Sequence, residues 1–281
     1  MDSTLRQQLQ RRFLQFQDEL WRPLHADPPR LLYHYSPPAG VRGILETREL
    51  WVSDIRRLND TREGTYSTDV FGPILRRKSV PDHIRPLFNR EVQQNGEIWF
   101  ACVASFCAAK DLDNQWNDYA EAGAGCALAV DLERLVQSGA PDAFAVFRVL
   151  YDEAEQKAKA EATIDHAIHL SRELDIRKKD GTEFWMEALI YSLLPCGVRF
   201  KDPCRAAEQE WRVLMIRPDR RNALERTLAD GRQTRYLRMA LNSRLLKSVL
   251  LGPRCAFNVE EMRELLSTHG MADTSIVPSA G

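Results

Sequence analysis

The spacing of apolar residues divides the chain into short strands and amphipathic helices. Leu5, Leu9, Phe13 and Leu20 recur at helical spacing, so residues 1–30 are expected to form a helix packed on the body. The strands predicted from aromatic, β-branched or alternating content are Leu31–Ser36, Leu50–Ser53, Ile98–Cys107, Gly125–Asp131, Phe144–Tyr151, Trp211–Ile216 and Ser248–Leu251. The predicted helices are 3–21, 39–48, 81–94, 114–121, 153–175, 182–194 and 258–267.

The order of these elements indicates a fold class. The strands fall irregularly between the helices, without regular βαβ alternation, which is typical of an α+β fold. The charged, Ala-rich stretch 153–175 is expected to lie on the surface, and the last dozen residues are expected to form a frayed tail.

The first predicted strand contains a polar residue where a core strand prefers Val or Ile. His34 lies between Tyr33 and Tyr35 in LLYHYS, and Pro37 and Pro38 end the strand. Two interpretations follow: His34 is a hydrogen-bonded core histidine, or its ring faces a ligand.

Composition excludes several classes of protein. The 281 residues are 44% hydrophobic, enough for one large domain or two small ones. The net charge is −1, from 39 basic and 40 acidic residues, so a global preference for nucleic acid is not indicated. No run of 18 apolar residues or secretory leader occurs, so neither a membrane partner nor secretion is expected.

Cysteine usage and the standard motifs narrow the choice further. None of the six cysteines forms a C-x-x-C pair, and several lie in apolar runs. Buried reduced thiols in a reducing compartment are therefore expected, and no metal site. The Rossmann, P-loop, zinc-protease and serine-hydrolase motifs are absent from the sequence.

Three further places break the apolar pattern. In the loop LNDTREG, Asn59 and Asp60 favour a turn, and Asp60 with Glu63 fits either a helix cap or a cation site. Trp116 and Tyr119 share one helical face, which suits a core or a wall for a flat heterocycle.

The third place is the start of the strand WRVLMI. Glu210 and Arg212 are two residues apart and share one strand face, where they could stabilise each other at the surface. Glu208 precedes them in a segment expected to be a flexible approach to the strand.

These motifs, taken in order, resemble a known family. Y-H-Y-S, G-V-R-G-I-L, L-W-V-S-D, L-N-D-x-x-E-G, S-F, W-x-x-Y-A-x-x-G-x-G, E-W-R-V and L-G-P span residues 31–253. The set resembles the domain of unknown function 2971 family, which is itself similar to ADP-ribosyltransferase-fold enzymes of the His-Tyr-Glu type. The resemblance implies a split β-sheet core with surrounding helices over 31–255, followed by a C-terminal helix and flexible tail over 256–281.

The resemblance also implies roles for individual residues. Glu210, His34 and Tyr119 correspond to the catalytic residues, and Phe106 is the alternative to Tyr119 as the stacking ring. E-x-E spacing makes Glu208 the residue that orients an acceptor such as arginine. Tyr35 stands where the family often has glycine. The residues expected to contact NAD are Tyr35, Ser36, Phe106, Trp116, Asn59 and Arg62. We therefore predict that His34, Tyr119 and Glu210 converge on one pocket bordered by the LNDTREG loop.

The function implied is that of an NAD-dependent mono-ADP-ribosyltransferase or NAD glycohydrolase, with NAD as substrate. The acceptor is expected to be a protein rather than nucleic acid, and the setting a bacterial effector, toxin or antiphage defence protein. It would act in its own cytoplasm or in the cytosol of a target cell. The alternatives are an inactive nucleotide- or partner-binding module of the same fold, and a metal-dependent hydrolase using Asp60, Glu63 and Glu210.

Overall fold

The computed structural model describes residues 1–25, 27–57, 62, 65–78, 80–93, 100–138, 144–176, 178–217, 223–227, 231 and 233–278. Within them the helices are α1 Ser3–Trp21, α2 Pro38–Thr47, α3 Tyr66–Arg77, α4 Ile84–Gln93, α5 Asp113–Tyr119, α6 Leu132–Ser138, α7 Glu153–Glu173, α8 Lys178–Ala188, α9 Leu194–Gly197 and α10 Val259–Thr268. The strands are β1 Leu31–Ser36, β2 Glu49–Asp54, β3 Phe100–Cys107, β4 Cys126–Asp131, β5 Phe144–Arg148, β6 Glu210–Arg217, β7 Leu224–Thr227, β8 Gln233–Ala240, β9 Leu246–Leu251 and β10 Ser275–Pro278.

The described strands form one ten-stranded sheet. The order along its main path is β10-β9-β4-β1-β3-β2-β8-β7, with β6 on the other side of β3 and β5 beyond β6. β10 runs parallel to β9, and the other pairs are antiparallel. A mixed sheet with helices on its faces confirms the α+β class.

The sheet divides at β1. Among the described pairings β1 meets β3 at one position, Tyr33 opposite Cys107, whereas β1 pairs with β4 along its whole length. Next to this junction β3 pairs with β2 through Val103 and Cys102. β1 and β2 therefore leave the same edge of β3 as two branches.

Each face of the sheet carries its own apolar cluster. Side chains alternate between the faces, and residues opposite each other on neighbouring strands share a face. Val103 and Leu214 pack under α1, α3, α4 and α7–α9, whereas Phe106 and Trp211 lie on the opposite face with residues of α2 and α10. α5 covers the branch of β1 and β4 through Trp116.

Several expectations from the sequence are corrected. The helices α3, α6 and α9 and the strands β7, β8 and β10 were not predicted. β10 contradicts a frayed tail over Ser275–Pro278, because these residues pair with β9. One face of α7 is buried, including Ile164 and Leu170, so this helix is not merely a surface helix. None of the described helices is both long and apolar enough to cross a membrane.

The close approach of β1 and β4 requires glycine at position 125. A Cβ atom there would lie 2.0 Å from the Ser36 carbonyl oxygen and 2.9 Å from the Pro37 Cα. We expect Gly125→Ala to lower the free energy of unfolding by about 1–3 kcal/mol, because the backbone must shift. The matched control is Gly43→Ala in α2, where the added methyl group meets nothing within 4 Å. That variant should be stabilised by about 0.5–1 kcal/mol, and urea unfolding of both variants measures the contrast.

Candidate functional site

A buried cluster of charges lies at the start of β6. The Lys201 ammonium donates to Glu208 Oε2 at 2.6 Å and to Glu210 Oε2 at 2.8 Å. Arg212 Nε donates to Glu210 Oε1 at 2.8 Å. The four side chains are between 0% and 5% exposed. We call Lys201, Glu208, Glu210 and Arg212 the carboxylate cluster; its two positive and two negative charges balance.

The local backbone explains how both glutamates reach one lysine. Asp202 caps the start of a 3₁₀ helix, Pro203–Glu208, because its side chain accepts from the Cys204 N–H. Gln209 then adopts a left-handed conformation (φ 47°) before β6 begins at Glu210. This conformation is uncommon outside glycine and turns the chain between the two carboxylates. The expected flexible approach at Glu208 is therefore corrected: the residue is buried and hydrogen-bonded.

The cluster keeps Glu210 ionised. Burial alone would raise the pKa of Glu210, but the positive charges of Arg212 and Lys201 and their hydrogen bonds outweigh it and hold this pKa well below its ordinary value. The Glu210 N–H donates to the Tyr151 hydroxyl oxygen at 3.1 Å. Burial, with the nearby Glu210 charge, raises the pKa of Tyr151, so this hydroxyl stays protonated.

Tyr119 connects α5 to the cluster. Its hydroxyl donates to Glu208 Oε1 at 3.2 Å. Arg205, which is partly exposed, lies 3.5 Å from the same oxygen and 4.0 Å from Asp118. The structure therefore brings Tyr119, Glu208 and Glu210 together.

Tyr35 and Trp116 pack against each other instead of lining a cleft. Their rings meet edge to face with centroids 4.7 Å apart. The Trp116 Nε1–H donates to Asp111 at 2.8 Å, and the Tyr35 hydroxyl accepts from the Leu112 N–H at 3.3 Å. Both rings are buried, so of the two interpretations of Trp116 the structure favours the core.

His34 lies on the opposite face of the sheet from Glu210. Tyr33 pairs with Cys107 and Cys107 with Glu210, so these three side chains share one face. His34, the next residue along β1, points to the other face, where its ring lies 5.6 Å from that of Phe106. The predicted convergence of His34 with Tyr119 and Glu210 on one pocket is therefore wrong.

The hydrogen bond of His34 fixes its tautomer. Nδ1 lies 2.9 Å from the Ser105 carbonyl oxygen, which can only accept, so Nδ1 carries the proton. Burial lowers the pKa of His34, which keeps the ring neutral and leaves Nε2 as an acceptor. The bond spans the place where β1 leaves β3, so His34 helps to hold the junction.

The remaining predicted contact residues lie away from the carboxylate cluster or cannot be placed. Ser36 is buried, and a Cβ at Gly40 would lie 2.3 Å from its hydroxyl oxygen. Arg62 is exposed and pairs with Asp202 at 3.2 Å, at the start of the 3₁₀ helix that leads to Glu208. Asn59, Asp60 and Glu63 lie outside the described residues.

The sequence analysis missed Lys201, Tyr151 and Arg205 as residues of the site. Lys201 follows Phe200 in a segment without helical or strand periodicity, so no pattern marks it as buried.

In the part of the chain that the structure describes, no three His, Cys, Asp or Glu side chains are grouped so that they could hold a metal ion.

Comparison with known proteins gives one match. The family model described as "Protein of unknown function (DUF2971)" matches residues 115–213, which include Tyr119 and the whole carboxylate cluster. Neither the curated proteins nor the solved structures contain a match. Over residues 115–213 the chain is thus similar to the DUF2971 family, which supports the resemblance drawn from its motifs.

Proposed function

We propose that the protein is an NAD-dependent mono-ADP-ribosyltransferase or NAD glycohydrolase with an ADP-ribosyltransferase-like core. The observation that carries the proposal is the buried glutamate pair, Glu208 and Glu210, which Lys201 joins beside the division of the sheet. Cleavage of the nicotinamide–ribose bond passes through an oxocarbenium-like transition state, which a preorganised carboxylate stabilises. Nicotinamide leaves as a neutral molecule from a cationic ring, so its departure needs no acid.

The residues around the cluster suit a flat ligand. Three half-buried tyrosines surround the cluster. Tyr33 lies on the same face of the sheet as Glu210, the Tyr119 hydroxyl is hydrogen-bonded to Glu208, and the Tyr151 hydroxyl to the Glu210 N–H. Phe106 and Trp116, which the resemblance puts against NAD, are each 3% exposed. We therefore assign the stacking of nicotinamide to Tyr33 and Tyr119.

The two glutamates have different surroundings. Both oxygens of Glu210 accept from Lys201 or Arg212, so in this proposal Glu210 acts through its negative charge. Glu208 Oε1 faces Tyr119 and the partly exposed Arg205, which puts Glu208 closer to an incoming acceptor. A protein acceptor, and a role as effector, toxin or defence protein, belong to the same proposal. His34 has no part in this centre.

A second candidate is a module that binds a nucleotide without cleaving it. Two observations favour it: the oxygens of Glu210 are occupied by Lys201 and Arg212, and His34 lies across the sheet. Binding of NAD without release of nicotinamide would distinguish this candidate from the enzyme.

Incubation of the full chain with NAD labelled in its nicotinamide group tests the proposal. We expect labelled nicotinamide to be released without added magnesium. Tyr119→Phe keeps the ring and loses the bond to Glu208, so it should retain NAD affinity, whereas Tyr119→Ala should weaken it by about 1–3 kcal/mol, the range for stacking on an aromatic ring. Absence of both binding and release would reject the enzyme and the binding module together.

A further inference from the structure

We propose that Cys126 and Cys255 form a reversible disulfide, so that this thiol pair is a site of oxidative modification. Their sulfur atoms lie 3.6 Å apart. Cys126 is buried at the start of β4, and Cys255 is half-buried in the turn that follows β9. The pair lies apart from the carboxylate cluster, and the inference does not depend on the proposed function.

Backbone hydrogen bonds hold the two thiols in place. The Gly252 N–H donates to the Gly125 carbonyl at 3.0 Å. The Ala256 N–H donates to the Ala124 carbonyl at 2.8 Å. The backbones are in close contact, because a Cβ on Gly252 would lie 2.7 Å from that same Gly125 oxygen. The turn that carries Cys255 is therefore fixed against the start of β4.

The distance suits bond formation within the native fold. A disulfide bond is about 2.05 Å long, so the sulfurs must approach by about 1.5 Å, which side-chain rotation can supply. The antiparallel pairing of Cys126 with Leu251, the last residue of β9, need not break. Oxidation should leave the fold intact.

The environment makes Cys255 the reactive member of the pair. The hydrogen bond from the Cys126 thiol, helped by the backbone at Phe257 and Gly252 and opposed by burial, lowers the pKa of Cys255 to about 6. The same shared hydrogen bond and burial raise the pKa of Cys126. The lowered pKa favours the thiolate form of Cys255, which is the form that reacts with oxidants, and leaves Cys126 as its thiol partner.

The reaction with a peroxide balances in two steps. The Cys255 thiolate attacks one oxygen of hydrogen peroxide, the O–O bond breaks, and the hydroxide released takes up a proton to become water. The Cys126 sulfur then attacks the Cys255 sulfenic acid; the S–O bond breaks, and hydroxide leaves with the Cys126 proton as a second water. Two thiols are oxidised and one peroxide is reduced, and a dithiol reductant reverses the change.

The other cysteines serve as internal controls. Cys102, Cys107 and Cys196 are buried, and burial raises the pKa of each, so they should react slowly. Cys204 is exposed and could form a disulfide between two copies of the chain, so the test is made in a Cys204→Ser background, which cannot form that bond.

The experiment oxidises the reduced full chain in this background with one equivalent of hydrogen peroxide at pH 7. We expect a monomer with two fewer thiols, one crosslink between Cys126 and Cys255 in the non-reduced peptide map, and recovery of both thiols with dithiothreitol. Cys255→Ser should not lose two thiols together, and in Cys126→Ala one equivalent of peroxide should take the lone Cys255 only to sulfenic acid, which a sulfenic-acid-specific reagent such as dimedone detects. Far-UV circular dichroism checks the fold of each variant.

A crosslink that joins other cysteines would overturn the proposal, and so would oxidation of Cys255 in the Cys204→Ser protein without any crosslink to Cys126. An unchanged thiol count after treatment of the folded protein would overturn it as well.

Discussion

Replacing Lys201 with methionine is expected to lower the free energy of unfolding by about 3–5 kcal/mol, the cost of removing one partner from a buried ion pair. Lys201 neutralises two carboxylates at 2.6 and 2.8 Å. Without it both remain buried, Glu210 beside Arg212 and Glu208 beside the partly exposed Arg205. Methionine preserves much of the side-chain volume, so the loss isolates the charge. Urea unfolding at pH 7 measures it.

The matched control is Lys157→Met on α7. Lys157 is exposed and pairs with Glu153 at 3.6 Å, so this variant should cost no more than about 0.5 kcal/mol. Equal losses in the two variants would show that the carboxylate cluster does not contribute to stability through its charges.

The same cluster predicts how stability depends on pH. The folded pKa of Glu210 lies below its ordinary value of 4.5, at about 2, so its ionised form stabilises the fold above pH 4.5. That contribution is lost as the pH falls from 4.5 towards 2. Without Lys201 the pKa of Glu210 should be depressed less, so the decline of stability with acid should be shallower in Lys201→Met than in the wild-type protein.

The strands that lie in the middle of the sheet were predictable because both of their faces are buried. β3 and β4 are continuous apolar runs, and local composition is enough to recognise them. β7 and β8 carry exposed polar residues on one side, and β10 is four residues long and depends on a pairing with β9. Their stability comes from partners distant in sequence, which a local pattern does not contain.

The candidate site shows the same limit. The alternation within β6 correctly put Glu210 and Arg212 on one face, but it did not show that this face is buried. Whether His34 shares that face depends on two registers, Tyr33 with Cys107 and Cys107 with Glu210, and each joins residues more than 70 positions apart. Glu208 and Glu210 both reach Lys201 because Gln209 turns the chain between them, and glutamine gives no sequence signal for a left-handed residue.

In the proposed reaction, Glu210→Gln is expected to reduce the rate of NAD cleavage by about 10²–10³-fold, in hydrolysis and in transfer alike. Glutamine keeps the size and hydrogen-bonding capacity of the side chain but removes the negative charge beside the developing oxocarbenium ion. Glu208→Gln should impair transfer to an acceptor and spare hydrolysis, because Glu208 faces Tyr119 and Arg205 at the more exposed side of the cluster. Nicotinamide release and acceptor labelling, measured side by side, separate the two roles.

Glu225→Gln is the matched control, because Glu225 is exposed on β7 and pairs with Arg235 at 2.9 Å, so its rate should equal that of the wild-type protein. All rates must be taken well below each variant's melting temperature, since Glu210→Gln also leaves Lys201 and Arg212 with less compensating charge. A folded Glu210→Gln protein with full NAD turnover would contradict the assignment of the carboxylate. Glu63 of the LNDTREG loop, which follows β2 in the sequence, would then be the next candidate for the catalytic carboxylate.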